Sequence, residues 1–356
     1  MSTSLDHDTH RSVVFDEIGQ GPEVAARLLT EGKDSIADLA AQIRNRGIRQ
    51  IVVAARGTSL HAGLAAKYVW EYALSVPVAI AAPSLYTVYG SGPLLQDDVM
   101  VVGISQSGET SDVSRVLADA RRTGALTVAI TNSPESHLPA VAEHVIELRA
   151  GREKSIPATK TYLADLLVVY MLAAALAPNR VSFAALAELP ECWNRLMTTS
   201  SFIEDQVATY GAVSHGFVLG RGLNYPTALE IALKLKEMCY VQAEGYSTAE
   251  FQHGPVVLVE PGYPIVLLVP RGPSLTGNVK LAKLLRERGA RLVVISSESE
   301  ALRLADAAIE VPVVDEEIYS PLHYVIPGFL FAAHLAAVKG LDPDRPRGLV
   351  KVAETV

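Results

Sequence analysis

Cysteine is scarce in this sequence: two residues in 356, Cys192 and Cys239. They lie far apart and each falls in a helical pattern, so neither a disulfide framework nor a cysteine-based metal site is expected. That fits a reducing compartment, and the expected location is the cytoplasm. Any block of lysines or arginines is also missing, and with a formal net charge of -8 the chain lacks the basic footprint of a nucleic-acid binder. The opening stretch, Met1 to His10, is polar and acidic where an export signal would be basic and then apolar. Long apolar runs are absent as well. The best candidate, Thr161 to Ala177, contains Asp165 and falls short of the ~20 apolar residues of a bilayer span. It reads as a buried core helix, and no membrane partner is expected. The nine histidines are scattered without H-E-x-x-H spacing, so no metal is expected. Neither a G-x-x-x-x-G-K-[ST] loop nor a strand-borne G-x-G-x-x-G occurs, which leaves nucleoside triphosphates and dinucleotides without support and no cofactor expected.

What is present is apolar material in the right amount and order. Hydrophobic residues make up 49% and charged residues 20%, enough for sizeable cores, and the length favours two of them. Helical spacing runs from Pro22 to Arg49. Short apolar runs then predict strands at 50–55, 78–82, 99–105 and 126–131, with a helix at 111–122 stopped by Gly124. Strands alternating with helices imply an α/β fold with a parallel sheet covered on both faces. The second half repeats the first. Gly57 after the first strand matches Gly222 after Phe217-Val218-Leu219-Gly220, and Gly124 matches Gly289, both pairs 165 positions apart. Equal offsets at two landmarks suggest a duplicated domain. The expected division is 1–198, 199–340 and a tail at 341–356, with the boundary near Leu196 to Phe202. Another apolar helix is expected from Pro321 to Gly340, and the proline-broken tail should lie on the surface or over something.

Two constellations could carry chemistry. Ile104-Ser105-Gln106-Ser107-Gly108-Glu109-Thr110 stands where a buried strand hands over to a helix. Its hydroxyls can donate to phosphate oxygens, Gly108 permits close backbone approach, and the helix start offers unpaired N–H groups. The plainer reading is an ordinary helix cap, since Ser and Thr favour that position. The second is Leu233-Lys234-Leu235-Lys236-Glu237, followed by Glu250-Phe251-Gln252-His253-Gly254-Pro255. Lys234 and Glu237, three apart, share a helix face and could form a proton-transfer pair. Glu230 with Lys234 reads equally well as a solvated i, i+4 surface pair, and His253 as a turn residue.

Taken together, the motifs resemble the sugar isomerase (SIS) family, from about Val14 to the end of the chain. The likeness rests on Gly57-Thr58-Ser59, the Ile104–Thr110 loop, Ala158-Thr159-Lys160, Ala232 to Glu237, the His253-Gly254-Pro255 turn and the Pro346–Lys351 tail. It is similar to the isomerase half of glucosamine-6-phosphate synthase and, more closely, to single-unit deaminases. The resemblance implies two tandem SIS domains, each a doubly wound, flavodoxin-like sandwich. It further implies that Ser59, Ser105, Gln106, Ser107 and Thr110, with Ile156, hold a phosphorylated amino sugar. Glu237 would move a proton between C1 and C2, Lys234 would assist, and His253 would open the ring from the partner subunit of a homodimer. Lys351 matches the lysine that forms an imine with fructose 6-phosphate in the synthase. The implied reaction converts glucosamine 6-phosphate to fructose 6-phosphate and ammonia.

The sequence also departs from the synthase pattern. The chain opens Met-Ser-Thr, with no N-terminal cysteine nucleophile, so it is not expected to take ammonia from glutamine by itself. Arg56 replaces a cysteine before Gly-Thr-Ser, and Gln252 replaces a lysine before His-Gly-Pro. Glu153-Lys154-Ser155 and Ala249-Glu250-Phe251 look like the deaminase branch. Three alternatives stay open: an ammonia-dependent isomerase or synthase partner, a deglycase acting on fructosamine 6-phosphates, and a sugar-phosphate sensor without turnover.

Overall fold

Apolar runs bounded by glycine and charged residues become the central strands. The computed structural model describes residues 12–350. Its strands are β1 Gln50–Ala55, β2 Val78–Ile80, β3 Val99–Ile104, β4 Leu126–Thr131, β5 His144–Glu147, β6 His215–Gly220, β7 Gln242–Ser247, β8 Pro264–Val269, β9 Arg291–Ser296 and β10 Ala307–Glu310. The helices that matter below are α1 Val13–Gly19, α2 Gly21–Glu31, α3 Lys33–Arg46, α4 Gly57–Leu74, α5 Ser111–Arg122, α6 Lys160–Leu176, α7 Tyr225–Cys239, α8 Leu275–Glu287 and α9 Ser320–Val338.

The strands form two five-stranded sheets, ordered β2-β1-β3-β4-β5 and β10-β9-β8-β6-β7, and every pairing is parallel. Read from its β7 edge, the second sheet repeats the order of the first, which is the flavodoxin-like winding. The duplication extends to backbone conformation. Gly57 and Gly222 both take φ 55°, and Gly124 and Gly289 take 92° and 79°. Those left-handed turns favour glycine, so the landmarks recur for a steric reason.

Alternation along the strands divides the cores. Ile51, Val53 and Ala55 of β1 face one shared core that also takes Val218 of β6 and the apolar helices α6, α7 and α9. Val52 and Ala54 point the other way, into a smaller core under α5. A third core under α8 takes Phe217 and Leu219 of β6. The stretch Thr161–Ala177 does form a buried helix, α6. Among the described residues, the helix long and apolar enough to cross a bilayer is instead Glu317–Val338, and 89% of its apolar window is buried inside the protein.

Sequence periodicity missed three details. The helical stretch from Pro22 is two helices parted at Gly32, where a side chain would meet the Leu28 carbonyl at 2.7 Å. Ahead of them stands α1, and the edge strands β5, β7 and β10 were not expected at all. Of these β7 has the largest structural consequence. A Cβ on its Gly245 would lie 2.8 Å from Leu229 Cα and 3.0 Å from Leu229 N, so the strand touches the backbone of α7 directly. Gly245→Ala is therefore expected to push α7 outward and cost about 1–3 kcal/mol. A lower denaturant midpoint at unchanged slope is the expected result; an unmoved midpoint would contradict this close approach.

Candidate functional site

Winding of this kind opens a crevice where the strand order reverses, beyond the C-terminal ends of the two strands on either side. In the first sheet those strands are β1 and β3, and the loops leaving them carry Gly57-Thr58-Ser59 and Ser105–Thr110. A cavity of about 360 Å³ lies there, lined by Ser59, Ser105, Gln106, Ser107, Thr110, Ile156 and Glu237 among others. Seven of the ten residues expected in the site thus share one wall-to-wall pocket, of a size suited to a small metabolite.

The hydroxyl loop does not behave as a simple cap. Thr110 precedes α5 but makes no side-chain cap hydrogen bond. Its hydroxyl instead lies 3.0 Å from Ser105 Oγ, which also accepts the Gly108 N–H at 3.1 Å. Gly108 takes φ 67°, and a Cβ there would collide with Ser136 Oγ at 1.8 Å. The loop is folded tightly on itself, with hydroxyls and the start of α5 facing the cavity, an arrangement suited to an anion. Arg56, at the cavity rim, donates from Nε to Asp112 Oδ2 at 3.1 Å and pairs with the same oxygen through Nη2.

Across the cavity the charges come from α7. Lys234 is fully buried, donates to Glu237 Oε2 at 2.5 Å and stands 3.3 Å from Glu230 Oε1. The surface-pair reading of Glu230 and Lys234 is therefore corrected: both side chains have no exposure. α7 packs against β7, α4 and α9, so the face that would have been solvated is covered. Glu230 also accepts from the Thr58 hydroxyl at 3.1 Å and lies 2.7 Å from His61 Nδ1. Lys234 donates to Thr58 Oγ1 at 3.2 Å. The cluster bolts α7 of the second half to α4 of the first. Burial alone would lower the Lys234 pKa, but the carboxylates of Glu230 and Glu237 outweigh it and the net shift is upward.

Two segments brace the remaining wall. Glu153 accepts from Thr159 N at 2.8 Å and Thr161 Oγ1 at 2.6 Å, and Lys160 donates to Gln20 Oε1 at 2.7 Å. The Ala158-Thr159-Lys160 motif is thereby fixed against the N-terminal helices. The tail is tied down as well. Asp344 accepts from Val13 N and Val14 N, both at 2.8 Å, and from Ser12 Oγ at 2.6 Å, while its carbonyl accepts the Ile156 N–H at 3.0 Å. Arg347 donates its N–H to Tyr240 and lays its guanidinium 4.3 Å from the ring centroid. Leu349 and Val350 then line the cavity. Lys351 lies outside the described residues. His253 is exposed and belongs to a different surface depression, with Arg221 and Asn278. Sequence reasoning passed over His61 and Asp344, which were legible only as ordinary polar residues of a helix and the tail, and it took Glu153 only as part of a branch motif.

The profile of the SIS domain matches residues 45–175 and again 213–339, one match on each sheet. The chain belongs to the SIS domain family. The glutamine–fructose-6-phosphate aminotransferase (isomerizing) of Methanothermobacter thermautotrophicus is 39% identical to it over 338 residues, 94% of this SIS chain and 56% of that protein. The chain thus spans a little over half the length of such curated relatives. Among solved structures, the C-terminal domain of glucosamine-fructose-6-phosphate aminotransferase from Francisella tularensis superposes with TM-score 0.81 at 28% identity, covering 96% of this chain and 99% of that one. Glucosamine-6-phosphate deaminase of Thermotoga maritima shares the fold, with TM-score 0.70 at 21% identity and coverage of 93% and 100%.

The buried cluster yields a stability test. Lys234→Met leaves two carboxylates facing each other without a cation and is expected to cost about 3–5 kcal/mol. Adding Glu230→Gln should restore more than half of that loss in chemical denaturation. Equal instability of the single and double variants would contradict the charge balance described here.

Proposed function

We propose that this protein isomerises and deaminates a phosphorylated amino sugar, converting glucosamine 6-phosphate to fructose 6-phosphate and ammonia. The observation that carries the reading is Glu237: a partly buried carboxylate, 2.5 Å from the Lys234 ammonium, lining the same cavity as the hydroxyl loop at the start of α5. A sugar phosphate anchored by Ser105, Ser107, Thr110 and Ser59, with Gln106 and Ile156 beside it, brings its reducing end toward α7. Glu237 then takes the C2 proton of the open-chain amino aldose and returns it at C1, while the C2 amine gives up a proton and the C1 oxygen gains one, so that C1 becomes a hydroxymethyl and C2 an imine. The carbon-to-carbon transfer is general base and acid work for one carboxyl. Lys234, buried behind the cavity wall, holds that carboxyl in place. The ketose imine that results adds water, and its C–N bond breaks to release ammonia. No redox partner enters this balance.

The tail closes the account. Leu349 and Val350 line the cavity, and Lys351, the next residue in the sequence, would supply the imine-forming lysine that the family resemblance implies. His253 is exposed beside Val257 and Leu258, which are 75% and 57% exposed, and this apolar turn supports a homodimer in which His253 opens the ring in the partner's cavity. A second reading is favoured by the names of the curated relatives, which are aminotransferases: the same site run toward glucosamine 6-phosphate with ammonia. Both directions use the same residues.

Glu237→Gln keeps the shape and removes the base, so kcat is expected to fall at least about a hundredfold with sugar-phosphate affinity nearly unchanged. Full turnover in that variant would overturn the assignment. Ending the chain after Gly348 keeps the Asp344 and Arg347 anchors but removes the covering residues and Lys351. Turnover should drop by roughly tenfold or more while the thermal midpoint holds; unchanged turnover would remove the tail from the mechanism.

A further inference from the structure

One acid on the cavity wall has no task in the scheme above. Asp165 of α6 is 1% exposed and lines the cavity together with Thr161, Thr58 and Glu237. Its Oδ1 is buried without a hydrogen-bond partner, and its side chain makes no hydrogen bond or ion pair among the described residues. Leaving a buried carboxyl unsatisfied costs free energy, and on a cavity wall its partner can arrive with the bound molecule. The other acids nearby are already engaged: Glu237 with Lys234, Glu230 with Thr58, His61 and Lys234, and Glu153 with Thr159 and Thr161. Of these acids, Asp165 is the one that lines the cavity without a partner among the described residues.

We propose, building on the amino-sugar reading above, that Asp165 is the specificity residue that receives the nitrogen substituent of the substrate. The groups acting on Asp165 are acids: Glu153 on the preceding segment, Glu230 on α7 and the phenol of Tyr162 one turn back on α6. Burial first, and the two carboxylates second, raise its pKa well above the ordinary carboxyl range, which favours the protonated form in the empty site. An alkylammonium beside it supplies the missing cation. Asp165 then gives its proton to solvent and forms a charge-assisted hydrogen bond to the substrate N–H, whereas a hydroxyl at the same carbon leaves it neutral. The site would thereby separate an amino sugar phosphate from the corresponding hydroxy sugar phosphate by a proton.

Two open-chain probes that cannot turn over test this: 2-amino-2-deoxyglucitol 6-phosphate and glucitol 6-phosphate. Both are titrated calorimetrically near pH 6.5 in buffers of different ionisation enthalpy, and the difference between them cancels protons moved by the shared phosphate. The full chain should bind the amino probe more tightly and release about one proton more than with the hydroxy probe. Asp165→Asn should abolish that proton difference and weaken the amino probe by roughly tenfold or more, with the hydroxy probe changed less than about threefold. Hydroxy-probe affinity also reports that the variant is folded, and Asp165→Ala should behave in the same way. Equal losses for both probes, or an undiminished proton difference in both variants, would overturn the role of Asp165. Failure of the unmodified protein to bind either probe would overturn the sugar-phosphate reading beneath it.

Discussion

The ammonium of Lys234 is the interaction on which the site depends. It sits without solvent exposure between Glu230 and Glu237, and through Thr58 it reaches the loop that follows β1. A lone buried charge in that position would be untenable, and a pair would still leave a carboxylate over. The arrangement works because four polar groups from two halves of the chain satisfy one another. In doing so it joins α7 to α4 and holds the Glu237 carboxyl at a fixed distance from the hydroxyl loop across the cavity. Packing and chemistry are thus served by the same atoms.

Duplication provides two switch points, yet the halves have diverged. At the offset of 165, the hydroxyl loop Ser105–Thr110 corresponds to Pro270–Leu275, which has one hydroxyl where the first has three. There the Ser274 N–H at the start of α8 donates to Glu317 Oε2 at 3.0 Å, and a side chain on Gly272 would meet that carboxylate at 2.7 Å. The second crevice carries its own anion, while the first presents hydroxyls and N–H groups to the cavity. The second half contributes through α7, lending charged groups to the cavity of the first.

Much of this was legible in the sequence, for identifiable reasons. β1, β4 and α5 were read with their observed bounds because apolar runs and amphipathic spacing end there at Gly124, Arg56 and similar breaks. Edge strands were not. Gln242-Ala243-Glu244-Gly245-Tyr246-Ser247 is paired on one side only and half-exposed, so its composition carries little of a strand's signal. Gly108, Ser105 and Thr110 were recognisable from their motif, and so was Glu237. Burial of Glu230 and Lys234 was not, since the residues covering them lie on α4, far away in sequence. For the same reason Asp165 read as a mere interruption of an apolar run, although the structure sets it on the cavity wall. Helix periodicity tells which face is apolar, but what lies opposite a polar residue is a property of the fold.

The most direct measurement is to mix the unmodified protein with glucosamine 6-phosphate, without glutamine or added metal, and to follow fructose 6-phosphate and ammonia together. The account predicts that both appear in equal amounts. Binding of the sugar with neither product, or release of an amino acid from a fructosamine 6-phosphate in place of this reaction, would contradict it.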